Sequence, residues 1–255
     1  ANPFEWGDAL NIVLADASIT LDDISTEKLE QARYIYLENY PQANIKIEGH
    51  TVTFKGKASH GSLPWFGSNA GLHLLNYIAR LRHIPELRSL FHLYHHGDGK
   101  RFGGDYKSDN FTDSSYCIGK IKYDGEKLTF YVNMRLPETI NPQDACDNVA
   151  EKMGGEVKLL SSSEALVIDP KSDMVRVLMD AYQKETHDYT SKPLAIGGGT
   201  YAKESKNTLA FGSAFPGRDN RIHDNEEYIS LDDFYNSIAI YAHGIVNLAK
   251  LVKKA

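Results

Sequence analysis

Cysteine is scarce in this chain: two residues, Cys117 and Cys146, among 255. They lie far apart with no CxxC spacing, which argues against a disulfide framework and a thiolate zinc site. The pair reads as reduced, buried thiols of a cytoplasmic protein. Long apolar runs are also missing, and nothing reaches the roughly 18 residues that a bilayer-crossing helix needs. Residues 1–8 lack the basic-then-apolar order of a secretion signal. Positive charge is in deficit, with 28 Lys and Arg against 34 Asp and Glu and a formal net charge of −6. No basic face emerges that could displace counterions from a phosphate backbone, so neither nucleic acid nor a membrane is expected as a partner. What remains is ordinary globular composition, 42% hydrophobic, in a chain long enough for two domains with separate cores.

The pattern along the chain divides near residue 165. Before it, residues 8–21 become strand-like toward their end, and a helix capped by Ser25 or Thr26 is predicted to stop before Pro41. IKIEGHTVTFKGKASHG reads as a hairpin turning at Glu48-Gly49, and SYCIGKIKYDGEKLTFYVNMRLP as a second turning at Asp124-Gly125. Helices are predicted over 69–81 and 142–153, and another strand in EVKLLSSSEALVI. This order predicts an α+β domain over 8–164, an antiparallel four-stranded sheet with helices on one face in the ferredoxin-like manner. Over 165–255 the pattern is a helix (173–184), a Gly-rich turn opening a short helix, an apolar run (209–215), a charged loop and a long helix (230–253). That alternation predicts an α/β segment.

Four features bear chemistry. In GKASHGSLPWFGSNA, His60 sits between a strand and a helix beside Gly56 and Gly61, where a ligand can reach it. The alternative is a surface turn histidine, the commoner fate of any one of ten. Arg135 ends the alternating run KLTFYVNMRLPE, in which Tyr131, Asn133 and Arg135 share one face. Its guanidinium suits a carboxylate, or else simply solvates an open sheet. IGGGTYA places bare backbone N–H groups before a helix, an anion-binding arrangement; it is neither GxGxxG nor a phosphate loop, and a tight structural turn is the competing reading. FPGRDNRIHDNEEYI holds His223 among carboxylates, a donor set that zinc or manganese accepts, although one histidine is not a site.

Taken together and in order, these segments resemble the co-catalytic metallopeptidases of the aminoacylase, carboxypeptidase G and peptidase V group, most closely the peptidase V-type dipeptidases. The likeness covers nearly the whole chain from Gly7, and its most specific stretch is AFGSAFPGRDNRIHDNEEYI. The resemblance implies that 8–164 is a substrate-binding lid and 165–255 the C-terminal part of a zinc-peptidase catalytic domain. It implies that His60 stabilises the oxyanion, that Asn11, Arg135 and the backbone at Gly198 hold the C-terminal carboxylate of a small peptide, and that His223 ligates one of two zinc (or manganese) ions. The family's HxD and paired-Glu segment has no counterpart here. The expectation is therefore a portion of a metal-dependent dipeptidase, inactive alone and completed by the N-terminal half of the catalytic domain. An amino-acid deacylase of the same family would use the same carboxylate clamp, and a non-catalytic binding or dimerisation module is the alternative outside enzymes.

Overall fold

The computed structural model describes residues 2–108, 111–196, 198–212, 214–221 and 226–252. The chain divides into two compact units, Ala1–Ser163 and Glu164–Ala255. Among the described residues the fold is α+β, with six α-helices and two antiparallel sheets. No helix among them is long and apolar enough to cross a membrane.

In the first unit, helix α1 (Thr26–Asn39) starts where the Ser25 hydroxyl accepts from the Lys28 N–H, satisfying one of the donors a helix start leaves open. Helix α2 (Ala70–Leu81) is buried from Ala70 through Ala79, its polar His73 and Asn76 meeting the Tyr36 hydroxyl. Its cap is also its anchor. Asn69 Oδ1 accepts from Leu72 N at 3.0 Å while Nδ2 donates to the Ile118 carbonyl at 2.7 Å. Helix α3 (Pro85–Tyr94) has no side-chain cap, and α4 (Pro142–Met153) runs from an Asn141 cap and first-turn proline to Gly154 in the left-handed region.

The strands are β1 (Phe4–Trp6), β2 (Asp16–Thr20), β3 (Asn44–Glu48), β4 (Thr51–Lys55), β5 (Ser115–Tyr123) and β6 (Leu128–Arg135). Both expected hairpins form, as β3–β4 and β5–β6. The single four-stranded sheet does not: there are two three-stranded sheets, ordered β2-β4-β3 and β1-β5-β6. The N-terminal segment causes the difference, because it contributes twice. Phe4–Trp6 pairs with β5 and Asp16–Thr20 with β4, so each hairpin gains its third strand from this segment and not from the other hairpin. Trp6 Nε1 donating to the Ser18 carbonyl at 2.9 Å links the two pieces. The strand expected in 156–168 is absent, since no described strand pairs with that stretch.

Among its described residues the second unit holds helices α5 (Asp173–Thr186) and α6 (Leu231–Val252) and one 3-10 turn, Tyr201–Glu204. The helices cross closely at Gly244, where an added Cβ would stand 3.0 Å from Leu178 Cδ2. The expected α/β alternation fails here. Among the described residues no strand follows Arg135, and apolar residues near 209 find no ladder to join.

At the centre of the first unit's core, the Tyr36 hydroxyl lies 2.9 Å from His73 Nδ1 and accepts from Asn76 Nδ2 at 3.2 Å. Burial, helped by the nearby His95, pushes the His73 pKa down to about 4. The native state therefore holds fewer protons than the unfolded chain between the ordinary value near 6.5 and about 4, and stability falls as pH drops through that window. The expected loss from His73 is about 2 kcal/mol between pH 7 and pH 5. Urea unfolding at the two pH values should reveal it, and His73→Phe should lessen the dependence, leaving the share of His95, which burial also pushes down to about 4. An unchanged slope in the variant would mean that His73 titrates normally.

Candidate functional site

The β2–β4 ladder does not end at its last regular pair. Gly56 N–H donates to the Ala15 carbonyl at 2.6 Å, Val13 N–H to Ser59 at 2.9 Å, and Gly61 N–H to Asn11 at 2.7 Å. Ile12 and His60 form an antiparallel bridge. This irregular extension sets Asn11 beside the His60–Gly61 turn. It passes over β5 at a bulge between Ile118 and Lys120, where a Cβ on Gly119 would lie 2.4 Å from the Ala9 carbonyl oxygen. Glycine is required for that crossing.

The turn is fastened to the other sheet by a buried bond from Ser115 Oγ to the Gly61 carbonyl, 2.8 Å. Ser115 opens β5 and is the Cα partner of Arg135, the last residue of β6. Arg135 is half-buried, and its Nε donates to Asn133 Oδ1 at 3.0 Å. That amide oxygen also faces Gly61, standing 3.1 Å from where a Cβ would be, with the Asn11 carbonyl oxygen at 2.9 Å from the same point. Asn11, His60 and Arg135, far apart in sequence, thus belong to one cluster, with Gly61, Ser115 and Asn133 as the joints between them.

His60 is half-buried. Its Nδ1 accepts from the Ser62 backbone N–H at 3.3 Å and lies 2.8 Å from Ser62 Oγ. A backbone amide only donates, so in the tautomer that accepts at Nδ1 the ring carries its proton on Nε2. No carboxylate among the described residues pairs with Arg135. Its charge reaches the neighbouring Cys117, whose thiol burial pushes up to about 11 against the pull of that guanidinium. A half-buried cation that pairs with no described carboxylate is suited to an anionic ligand.

The remaining expected residues lie in the second unit. Gly198 is exposed, and among the described residues an added Cβ there would meet only Ile196 Cδ1, at 4.0 Å. The short helix expected after it is one 3-10 turn, begun by Thr200, which accepts from Ala202 N at 3.3 Å; four residues align little dipole. His223 lies outside the described residues, as does Gly197. In the flanking sequence, Arg221 pairs with Glu226 at 2.9 Å. Among the described residues, no three His, Cys, Asp or Glu side chains converge to hold a metal.

Sequence reasoning missed an open cleft of about 390 Å³ in the second unit, lined by Tyr182, Asp188, Arg218 and Asp233 among others. Asp233 is buried there, 3.4 Å from Arg218 Nε. It also missed Ser115 and the role of Gly61. The signal for Asn133 was available, because strand alternation places it on the Arg135 face.

The close packing around Gly61 yields a test. Gly61→Ala must displace a backbone carbonyl, so a loss of about 1–3 kcal/mol in unfolding free energy is expected, together with shifted NMR signals of the Asn133 side-chain amide. A variant as stable as the parent with unmoved signals would mean that the turn and β6 do not approach this closely.

No family model matches the chain. It is similar to three Staphylococcus aureus proteins, from strains MRSA252, USA300 and MW2, each carrying the name "putative dipeptidase". Each is 31% identical over 258 residues, an alignment that takes in 96% of this chain and 55% of the relative. The chain spans about half the length of the curated relatives it matches.

Proposed function

We propose that this chain is the substrate-gripping lid and C-terminal part of a metal-dependent dipeptidase that hydrolyses dipeptides with a free C-terminal carboxylate. One observation carries the reading: Arg135, half-buried and without a protein carboxylate among the described residues, stands in one cluster with Asn11 and the His60 turn. A cation, an amide and a proton-bearing imidazole together suit a short peptide, whose carboxylate needs the first two and whose developing oxyanion needs the third. The similarity to proteins named as dipeptidases favours this substrate over the acylated amino acid that the same clamp could hold.

The proposal includes two zinc or manganese ions as cofactors, with His223 a ligand to one and the N-terminal half of the catalytic domain supplying the others. The described residues assemble no ligand set, so the roles assigned here belong to the chain's own groups. Arg135 presents its guanidinium edge to the carboxylate, Asn11 adds a neutral donor, and the His60 ring faces the oxygen that gains charge. Substrate length is limited because the clamp and the oxyanion donor sit in one cluster.

Two measurements test the reading. Arg135→Lys keeps the charge but removes the two-pronged geometry. In the full-length protein it should lower kcat/KM for a free dipeptide by roughly ten- to a hundredfold, and by much less for the dipeptide amide. Equal losses on both substrates, or none, would remove Arg135 from the clamp. The 255-residue chain alone should bind zinc only weakly in calorimetry and hydrolyse no dipeptide, because one imidazole cannot replace a full ligand set. Metal-dependent turnover by this chain would overturn its assignment as the incomplete partner.

A further inference from the structure

Arg135 is aimed by a neighbour. We infer that Asn133 is a positioning residue that orients the Arg135 guanidinium for end-on capture of a carboxylate; the inference rests on the reading of Arg135 as the carboxylate clamp. The two side chains project from the same face of β6, two residues apart. The Nε–H of a guanidinium only donates, so it is the amide oxygen of Asn133 that meets it, at 3.0 Å. With Nε engaged, the side-on fork formed by Nε and one Nη is closed to a ligand. The fork formed by Nη1 and Nη2 remains, and it takes a carboxylate in the plane of the guanidinium.

The chemical identity of the acceptor matters as much as its position. An aspartate at 133 could hold Nε equally well, but it would form an ion pair with Arg135 and cancel the charge that a substrate carboxylate needs. Asparagine orients the guanidinium and leaves it cationic. The same Oδ1 faces Gly61, where a Cβ would come within 3.1 Å of it, and the Gly61 N–H holds the Asn11 carbonyl at 2.7 Å. One amide oxygen therefore holds the arginine and faces the turn bearing His60. It keeps the carboxylate-binding edge in register with the oxyanion donor.

The experiment uses the 255-residue chain with ¹⁵N-labelled arginine, titrated by NMR with alanyl-leucine and, separately, with alanyl-leucine amide. The parent should bind the free dipeptide and discriminate against the amide, and its Arg135 Nε–H should exchange slowly with solvent. In Asn133→Leu that proton should exchange faster, and dipeptide affinity should fall roughly three- to tenfold, the worth of one oriented hydrogen bond. In Asn133→Asp the Nε–H should stay protected while dipeptide affinity falls at least as far. This pairing separates orientation from charge, and a purely structural asparagine would not produce it. If Asn133→Leu fails to fold, Asn133→Ser, too short to reach Nε, replaces it. Unchanged affinity in Asn133→Leu, with Arg135→Lys weakened, would overturn the inference and leave the clamp standing. Asn133→Asp binding like the parent would overturn the requirement for a neutral acceptor. A parent that does not distinguish dipeptide from amide, or an Arg135→Lys variant that binds as well as the parent, would overturn the clamp and this inference with it.

Discussion

The bond from Ser115 Oγ to the Gly61 carbonyl joins two segments 54 residues apart and is buried from solvent. On one side of it lies the irregular end of the β2–β4 ladder, which carries Asn11 and His60. On the other lies the β5–β6 hairpin, which carries Asn133 and Arg135. A buried carbonyl without its donor costs about 1–3 kcal/mol, so the two sheets are held to one relative placement at this point. Gly61 makes the approach possible, because any side chain there would meet both the Asn11 carbonyl and the Asn133 amide. Without this junction the three proposed substrate-binding groups of the first unit would sit on independent pieces of structure.

Local rules carried much of the fold. Helices α1, α2 and α4 were legible because each begins at a residue whose side chain caps it, Ser25, Asn69 and Asn141. The two hairpins were legible from their glycine-containing turns between alternating runs, and Gly125 does adopt a positive φ. Helix α3 was not, since Ile84 offers no side-chain cap to mark its start. Strand β1 is three residues long, below any periodic signal. The partition into two sheets depends on which hairpin the N-terminal segment joins, a long-range choice that spacing along the chain does not encode.

The candidate site divides in the same way. That Asn133 and Arg135 share a face follows from strand alternation alone. That Asn11 lies against the His60 turn follows from the bulge at Gly119 and the extended ladder, neither of which announces itself in sequence. The glycine run before Thr200 read as a helix start, but the element is one 3-10 turn, and an isolated short segment has little to propagate a helix once nucleated. In the second unit the close crossing of α5 and α6 at Gly244 is a small residue permitting backbone approach, a feature visible only once the partner helix is known.

The bulge at Gly119 and the ladder beyond Gly56 have a kinetic consequence. Groups drawn from residue 11 to residue 135 meet only after both hairpins exist and the N-terminal segment has docked on each. Chain closure over such separations is entropically costly, and topologies rich in distant contacts fold slowly. The two hairpins and the α-helices, built from neighbours in sequence, can form early. The cluster of Asn11, His60 and Arg135 is then among the last parts of the first unit to assemble, so a partly folded chain would hold native secondary structure while lacking the groups proposed to grip a substrate.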